Sequence, residues 1–161
     1  MLEGPVVVDA FRLCGITHVV WVPDTELGRW DDALSQAPGL SLIRVCREGE
    51  AIAVAGGLLL GGKWPIVLMQ CTGFFEAGDA LRNFVHDLKL PLFFIIGARG
   101  FLAHQPGVTA DTCPLFVEPI LKAWQLPYLL FDPRLQGPTF LVRSYCMARD
   151  EGRAGALLMV E

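Results

Sequence analysis

The sequence is short of charge. Only 19% of its residues are Asp, Glu, Lys or Arg, whereas typical soluble domains have about 25%. Lys and Arg never occur in a run, and the formal net charge is −4. Binding to a phosphate backbone depends on clustered positive charge, so we expect no nucleic-acid partner.

Long apolar segments and targeting patterns are also missing. The longest uncharged apolar run, Ala51 to Leu60, falls well below the roughly 20 residues that a membrane-spanning helix needs. The first residues do not combine a basic region with an apolar one, as a secretory signal does. These absences predict a cytoplasmic protein with no membrane partner.

The cysteines form neither a metal-binding pattern nor a disulfide pattern. They are odd in number and widely spaced, and no C-x-x-C pair is present, so the sequence predicts neither a zinc site nor a disulfide framework. Most of them are expected to be small buried residues. The five are Cys14, Cys46, Cys71, Cys113 and Cys146. The complete P-loop motif G-x-x-x-x-G-K-[ST] and the dinucleotide-binding motif G-x-G-x-x-G are absent as well.

Apolar residues, by contrast, are abundant. They make up 53% of the 161 residues, a length that fills one substantial core, and we expect a single domain over residues 1–161. This fraction exceeds the roughly 45–50% of ordinary soluble domains. Because large exposed apolar patches are rare on monomers, the surplus predicts a partner chain that covers part of the surface.

Short strand-like runs alternate with helical segments along the whole chain. The runs are almost continuously hydrophobic, which is typical of parallel strands covered on both faces. The predicted strands are 17–23, 40–46, 65–71, 91–97, 127–131 and 155–161. The predicted helices are 6–13, 27–36, 48–60, 77–88, 113–124 and 139–149. This order predicts an α/β fold, a three-layer α/β/α domain with a mostly parallel six-stranded sheet.

Ligands of open α/β sheets generally bind beyond the carboxyl ends of the strands. The loops expected at that edge are residues 23–28, 47–50, 71–78 and 98–111. The first three are short and polar, whereas the fourth is long enough to act as a lid or as a contact arm. A binding site, if there is one, is expected among these four loops.

The segment 51–62 contains no polar side chain, which excludes an ordinary amphipathic surface helix. We expect it to be buried all round, with one side on its own sheet and the other against a second subunit. Gly56 and Gly57 are poor helix formers and favour the close approach of another backbone at that point.

Two glutamates stand at the start of this apolar helix. Glu48 has two possible roles: a first-turn carboxylate that interacts with the helix dipole, or a desolvated group that exchanges protons. Position alone favours the first role. Glu50 points to another side of the helix and is expected to be solvated or paired with Arg47.

Two stretches carry a resemblance to a known family. "GITHVVWVPDTELGRWDDAL" and "VCREGEAIAVAGGLLLGGKWPIVLMQCTGFFEAGDALRNFVHDLKLPLFFIIGARG" resemble the pyrimidine-binding (PYR) domain of thiamine-diphosphate enzymes. Sulfopyruvate decarboxylase alpha subunits and phosphonopyruvate decarboxylases are the members they resemble most. The resemblance covers roughly residues 4–100 and implies the thiamine-diphosphate-binding fold.

The resemblance assigns a role to Glu48. In that family a glutamate just before the apolar helix hydrogen-bonds N1′ of the cofactor's aminopyrimidine ring and favours its 4′-imino tautomer. Glu48 occupies this place, which implies a catalytic acid–base group and a contact to thiamine diphosphate. An apolar entrance suits such a group, since it can hold a proton there near neutral pH.

Further cofactor contacts are implied by two loops. "QCTGFF" resembles the family's "QNSGLG" loop, which places Thr72, Gly73 and Phe74 beside the pyrimidine ring. Pro23, in the "VPDT" loop, is implied as another neighbour of the cofactor. The alternative for Thr72 and Gly73 is a plain turn before a helix.

Three residues are candidates for contacts with the substrate. Asp24 either faces the substrate or caps the helix that begins near Leu27. Cys71 replaces a usual asparagine of the family and is otherwise a small buried residue. His104, in the long loop, is either a mobile acid–base group or a solvated residue. Glu76 also stands where asparagine is common, which puts the choice of substrate in question.

The family's second domain carries a "GDG…N" motif that binds Mg²⁺ and the diphosphate, and this sequence has none. The resemblance therefore implies a separate diphosphate-binding (PP) subunit, a hetero-oligomer built on PYR dimers, and an isolated chain that is inactive. The implied activity is decarboxylation of a small 2-oxo acid with an anionic tail. A related carboligase subunit and a non-catalytic scaffold of the same fold are the alternatives.

Overall fold

The computed structural model describes residues 2–104 and 107–161. Its strands are β1 (His18–Trp21), β2 (Ser41–Arg44), β3 (Pro65–Gln70), β4 (Phe93–Ala98), β5 (Tyr128–Phe131) and β6 (Gly155–Val160). Its helices are α1 (Gly4–Leu13), α2 (Asp31–Ser35), α3 (Glu48–Leu60), α4 (Cys71–Glu76), α5 (Gly78–Leu81), α6 (Phe101–His104), α7 (Cys113–Ala123) and α8 (Pro138–Asp150). A 3₁₀ turn, Leu27–Trp30, precedes α2, and a π-helical turn, Arg82–Asp87, follows α5.

The six strands form one sheet in the order β2-β1-β3-β4-β6-β5, and every neighbouring pair is parallel. This confirms the predicted fold class. The edge strands β2 and β5 are short and partly exposed, whereas β3, β4 and β6 are almost wholly buried. Buried central strands explain why their sequences are continuous apolar runs.

Helices cover both faces of the sheet, and each face has its own core. Alternate residues of a strand point to opposite faces, so Ile66 and Leu68 belong to one core while Val67 and Met69 belong to the other. The first core is completed by α1, α2 and α8, and the second by α3, α4 and α7. The three-layer arrangement is therefore confirmed.

Two helices lie where the sequence predicts loops. Helix α4 starts directly after β3, although "CTGFFE" lacks a helical repeat of apolar residues, because burial of Cys71 and Phe74 in the second core stabilises it. Helix α6 forms one turn inside the long loop after β4. Short helices of this kind depend on tertiary contacts, which a local pattern does not reveal.

The apolar helix α3 is buried on one side within the single chain. Ala51, Ile52 and Ala55 are fully buried, whereas Leu60 is 69% exposed. The expectation of burial all round is therefore not met by this chain's own residues. A second subunit on the exposed side stays a prediction.

The two glycines of α3 have different surroundings. A Cβ at Gly56 would lie 2.3 Å from the ring of Phe84, whereas a Cβ at Gly57 would meet no atom within 4 Å. The close approach expected from the sequence is thus made at Gly56 by an aromatic side chain of the same chain. At Gly57 the structure gives no such contact.

The five cysteines differ in their exposure to solvent. Only Cys14 and Cys71 are buried, while Cys46 is exposed and Cys113 and Cys146 are partly exposed, so the expectation that most are buried is wrong. All five are free thiols. No helix within residues 2–104 and 107–161 has the length and apolar character needed to cross a membrane.

The glycine pair of α3 provides a matched test of this packing. Gly57→Ala is expected to raise the free energy of unfolding by up to about 1 kcal/mol, because alanine is the better helix former. Gly56→Ala is expected to lower it by roughly 1–3 kcal/mol, because the Phe84 ring must move. Urea unfolding of both variants measures the difference, and equal stabilities would contradict the packing.

Candidate active site

A crevice opens where the chain changes direction across the sheet. The loop after β1 leads to the 3₁₀ turn, whose Leu27 and Trp30 pack in the first core. The neighbouring strand β3 leads into α4, whose Phe74 packs in the second core. The two connections leave the sheet on opposite sides, and such a switch point is where open α/β sheets bind ligands.

A cavity of about 350 Å³ lies at this edge. Its lining combines the loop after β1, the junction of β3 and α4, the loop after β4 and the segment that leads into α7. The lining residues are Glu26, Gln70, Cys71, Thr72, Arg99, Asp111 and Cys113. The cavity therefore offers a buried carboxyl group, thiols and an exposed guanidinium group in one place.

A smaller cavity of about 140 Å³ lies at the opposite edge. It is lined by Phe93, Tyr128 and Gly155, which are the first residues of β4, β5 and β6. The larger cavity is the better candidate, because its position at the carboxyl ends of the strands is the one that favours ligand binding.

Glu48 begins α3, and its side chain lies across the backbone of Gly73 in α4. A Cβ at Gly73 would lie only 2.1 Å from Glu48 Oε1 and 2.2 Å from its Cδ. Only glycine leaves room for the carboxyl group in this position. The structure thus brings together two residues that are 25 positions apart and that the resemblance assigns to the same ring of the cofactor.

The other acidic residues near α3 have partners of their own. Arg47 pairs with Glu76 and lowers the pKa of that carboxyl group, and the Gly49 N–H donates to Glu76 Oε2 at 3.3 Å. Glu50 Oε2 accepts the Cys46 N–H at 3.0 Å. Of the two alternatives expected for Glu50, pairing with Arg47 is not observed, and exposure to solvent is. Through its contacts with Arg47 and Gly49, Glu76 links the end of α4 to the start of α3.

Asp24 holds the turn after β1. Its Oδ1 accepts the N–H groups of Glu26 and Leu27, both at 2.7 Å, so the capping role considered for it is present. Its Oδ2 is buried and has no hydrogen-bond partner in the described part of the chain. A contact to substrate stays a prediction. Pro23, one residue earlier, is exposed at the same loop.

The remaining predicted site residues lie in different surroundings. Thr72 is exposed and Cys71 is buried, and both line the larger cavity. Burial, followed by the neighbouring Cys113, raises the pKa of the Cys71 thiol to about 12, so this thiol stays protonated at neutral pH. Phe74 is buried in the second core. His104 ends α6, half buried, and is not one of the described residues that line the cavity.

Glu26 is the functional candidate that the sequence does not reveal. It is only 4% exposed, and its carboxyl group lies against Gly97 at the end of β4, where a Cβ would be 2.6 Å from Oε2. Its Oε1 is buried without a hydrogen-bond partner among residues 2–104 and 107–161. An acidic residue in a short polar loop gives no sign of burial in the sequence.

The environment of Glu26 favours its protonated form. Burial, then the charges of Glu161 and Asp24, raise the pKa of its carboxyl group from 4.5 to about 7, although Arg99 opposes the shift. The group therefore changes charge near neutral pH, as acid–base catalysts do.

Known proteins of similar sequence were found by comparison. The alpha subunit of sulfopyruvate decarboxylase from Methanococcus maripaludis is 30% identical over 122 residues, which are 74% of this chain and 70% of that one. Phosphonopyruvate decarboxylase from Streptomyces viridochromogenes is 31% identical over 86 residues, which are 53% of this chain and 22% of that one. The chain thus spans less than a quarter of the second relative.

Among solved structures, benzoylformate decarboxylase from Polynucleobacter necessarius superposes with a TM-score of 0.73 at 21% identity, over 99% of this chain and 30% of that one. This likeness concerns the fold. The family model described as "Thiamine pyrophosphate enzyme, N-terminal TPP binding domain" matches residues 4–112, which include Glu48 and Gly73. The chain therefore belongs to the family of N-terminal, thiamine-pyrophosphate-binding domains of thiamine pyrophosphate enzymes, and it is homologous to the alpha subunits of sulfopyruvate decarboxylase.

Proposed function

We propose that this chain is the pyrimidine-binding subunit of a thiamine-diphosphate-dependent decarboxylase that acts on a small 2-oxo acid. Family membership and the homologous decarboxylase subunits support the reaction class. The observation that carries the proposal is the contact of the Glu48 carboxyl group with the backbone of Gly73 at the carboxyl edge of the sheet.

The residues at this edge fit an aminopyrimidine ring. Glu48 supplies a carboxyl group for ring atom N1′, and Gly73, which has no side chain, leaves the space that this carboxyl group occupies. Thr72 and Pro23 are exposed at the same edge and would complete the contacts. When bound, the cofactor supplies the nucleophile and accepts the electron pair released with CO₂.

The chain's own residues orient the cofactor and hold the proton of its aminopyrimidine ring. Glu48 holds the proton of the ring, and Gly73 fixes where the carboxyl group of Glu48 can lie. The ion pair of Arg47 with Glu76 links α3 and α4 beside that contact.

The proposal includes a second polypeptide that binds Mg²⁺ and the diphosphate. The relatives named alpha subunits support a divided enzyme. The exposed apolar side of α3, with Leu60 69% exposed, supports contact with other chains. The complete enzyme would then contain paired copies of this chain together with the diphosphate-binding subunit, and the isolated chain would have no turnover.

Removal of the Glu48 carboxyl group tests the catalytic role. In the complex reconstituted with its partner, Glu48→Gln is expected to reduce turnover of 2-oxo acids by about 100-fold or more, because the ring loses its proton donor. The matched control is Glu50→Gln, two residues along α3, which is expected to retain near wild-type turnover. Release of CO₂ from a panel of 2-oxo acids measures both. A fully active Glu48→Gln variant would contradict the role.

A methyl group at Gly73 tests the geometry without changing a charge. Gly73→Ala is expected to weaken thiamine diphosphate binding by about 10-fold or more, because its Cβ displaces the Glu48 carboxyl group. Gly49→Ala is the control, since its Cβ makes ordinary contacts of 3.7 Å and 3.8 Å. Cofactor titration of the reconstituted complex, followed by tryptophan fluorescence, measures the affinity. Equal affinities of the two variants would argue against the site.

A further inference from the structure

Decarboxylation of a 2-oxo acid needs a proton as well as a nucleophile. The bond between the carboxylate carbon and the carbonyl carbon breaks, CO₂ leaves, and the electron pair that remains becomes a new C–H bond of the aldehyde product. One proton is therefore consumed at the carbonyl carbon in every turnover. The group that delivers it must border the substrate and carry a proton near neutral pH.

Glu26 meets the geometric requirement. Its side chain is 4% exposed and lines the 350 Å³ cavity together with Cys71 and Thr72 at the start of α4. Its Oε1 is buried and has no hydrogen-bond partner in the described residues, so its capacity for a hydrogen bond is unused. A buried carboxyl oxygen without a partner is costly to stability, and such atoms are typical of functional sites.

The charged and titratable groups around Glu26 come from several elements. Asp24 lies in its own loop, Arg99 follows β4, Glu161 follows β6, and Cys71 begins α4. The carboxylates of Glu161 and Asp24 oppose ionisation of Glu26, whereas a backbone hydrogen bond with Arg99 and then the charge of the Arg99 guanidinium group favour it. Arg99 also lines the cavity, where a fixed positive charge would attract an anionic 2-oxo acid.

We propose that Glu26 is a second catalytic carboxyl group, which donates the proton that replaces CO₂ on the carbonyl carbon of the substrate. The proposal rests on the proposed function. The Glu26 carboxylate that remains after the transfer takes up a proton from water at the mouth of the cavity, which restores the acid for the next turnover.

The other groups of the cavity are less suited to this transfer. Asp111 accepts the Cys113 N–H at 2.9 Å through Oδ1, and Asp24, whose Oδ1 accepts the Glu26 N–H, is not one of the described residues that line the cavity. The Cys71 thiol has a pKa raised to about 12, chiefly by burial, and is a weak acid at neutral pH. Glu26, whose pKa is raised to about 7 by the same cause, is the group of this cavity that can both give and regain a proton.

Glu26→Gln in the reconstituted enzyme tests the proposal. Aldehyde formation is expected to fall by about 100-fold, within the range typical of a lost general acid, while the affinity for thiamine diphosphate stays close to that of the wild type. Glu151→Gln, an exposed change after α8, is the matched control and is expected to keep wild-type turnover. Full aldehyde formation by Glu26→Gln would overturn the proposal.

An oxidant separates proton delivery from bond cleavage. Two ferricyanide ions can remove the electron pair left on the carbonyl carbon, and with one water the product is then a carboxylic acid, with one proton released. In Glu26→Gln, ferricyanide is expected to restore CO₂ release towards the wild-type rate, because the missing proton is no longer needed. If CO₂ release stays as low with ferricyanide as without it, Glu26 acts in cleavage or folding, and the proposal is wrong.

The pH dependence of stability gives a readout that does not involve activity. Between pH 4.5 and about 7 the folded chain is expected to keep the Glu26 proton while the unfolded chain loses it. The wild type should therefore lose stability relative to Glu26→Gln as the pH rises through this window. Thermal unfolding of the full chain across the window measures this difference. A difference that does not change with pH would contradict the protonated state that the proposal requires.

The two proposals fail in distinguishable ways. If the wild-type complex neither binds thiamine diphosphate nor releases CO₂, the proposed function is wrong, and the role of Glu26 fails with it. If the wild type is active and Glu48→Gln is not, but Glu26→Gln keeps full aldehyde formation, only the role of Glu26 is wrong.

Discussion

The Glu48 carboxyl group lies on the backbone of Gly73, and the whole candidate site depends on that contact. It joins the start of α3 to the start of α4, two segments that the chain places on the same helical layer. The salt bridge between Arg47 and Glu76 links the same two helices a few residues away. An ion pair exposed to water contributes little stability by itself, so its effect here is to fix orientation.

Two carboxyl groups near this edge of the sheet lie in different environments. Glu48 is half exposed beside a glycine, whereas Glu26 is enclosed and its pKa is raised towards 7. Enzymes that move protons at two points of a reaction commonly use two acids whose surroundings differ. Glu26 lies in the loop after β1 and Glu48 begins α3 after β2, and these two connections leave the sheet on opposite sides.

The sequence predicts the fold well because the alternation of apolar strand-like runs with helical segments is visible locally along the chain. Each predicted strand overlaps an observed one, and α3 begins at Glu48 and ends at Leu60 as predicted, since the change from acidic to apolar residues marks its start. Helix α4 is not predicted, because tertiary burial of Cys71 and Phe74 stabilises it rather than helical periodicity. The observed ends of the edge strands β2 and β5 differ from the predicted ends by a residue or more. Strand pairing, and not composition, determines where a strand ends.

For the site, the sequence provides residue identities and the structure provides their surroundings. The resemblance assigns Glu48 and Gly73 to one ring of the cofactor, and the structure adds that they touch. Glu26 has no such signal, because its burial arises from Gly97 and from the ends of strands more than 70 residues away in sequence. Long-range contacts of this kind cannot be recognised from the sequence of a single short loop.

A crystal structure of the complex with its partner subunit and thiamine diphosphate tests the central claim most directly. The predicted result is a Glu48 carboxyl oxygen within about 2.5–3.0 Å of N1′ of the aminopyrimidine, with Gly73 beside the ring. A cofactor bound elsewhere, with the Glu48 carboxyl group facing open solvent, would contradict it.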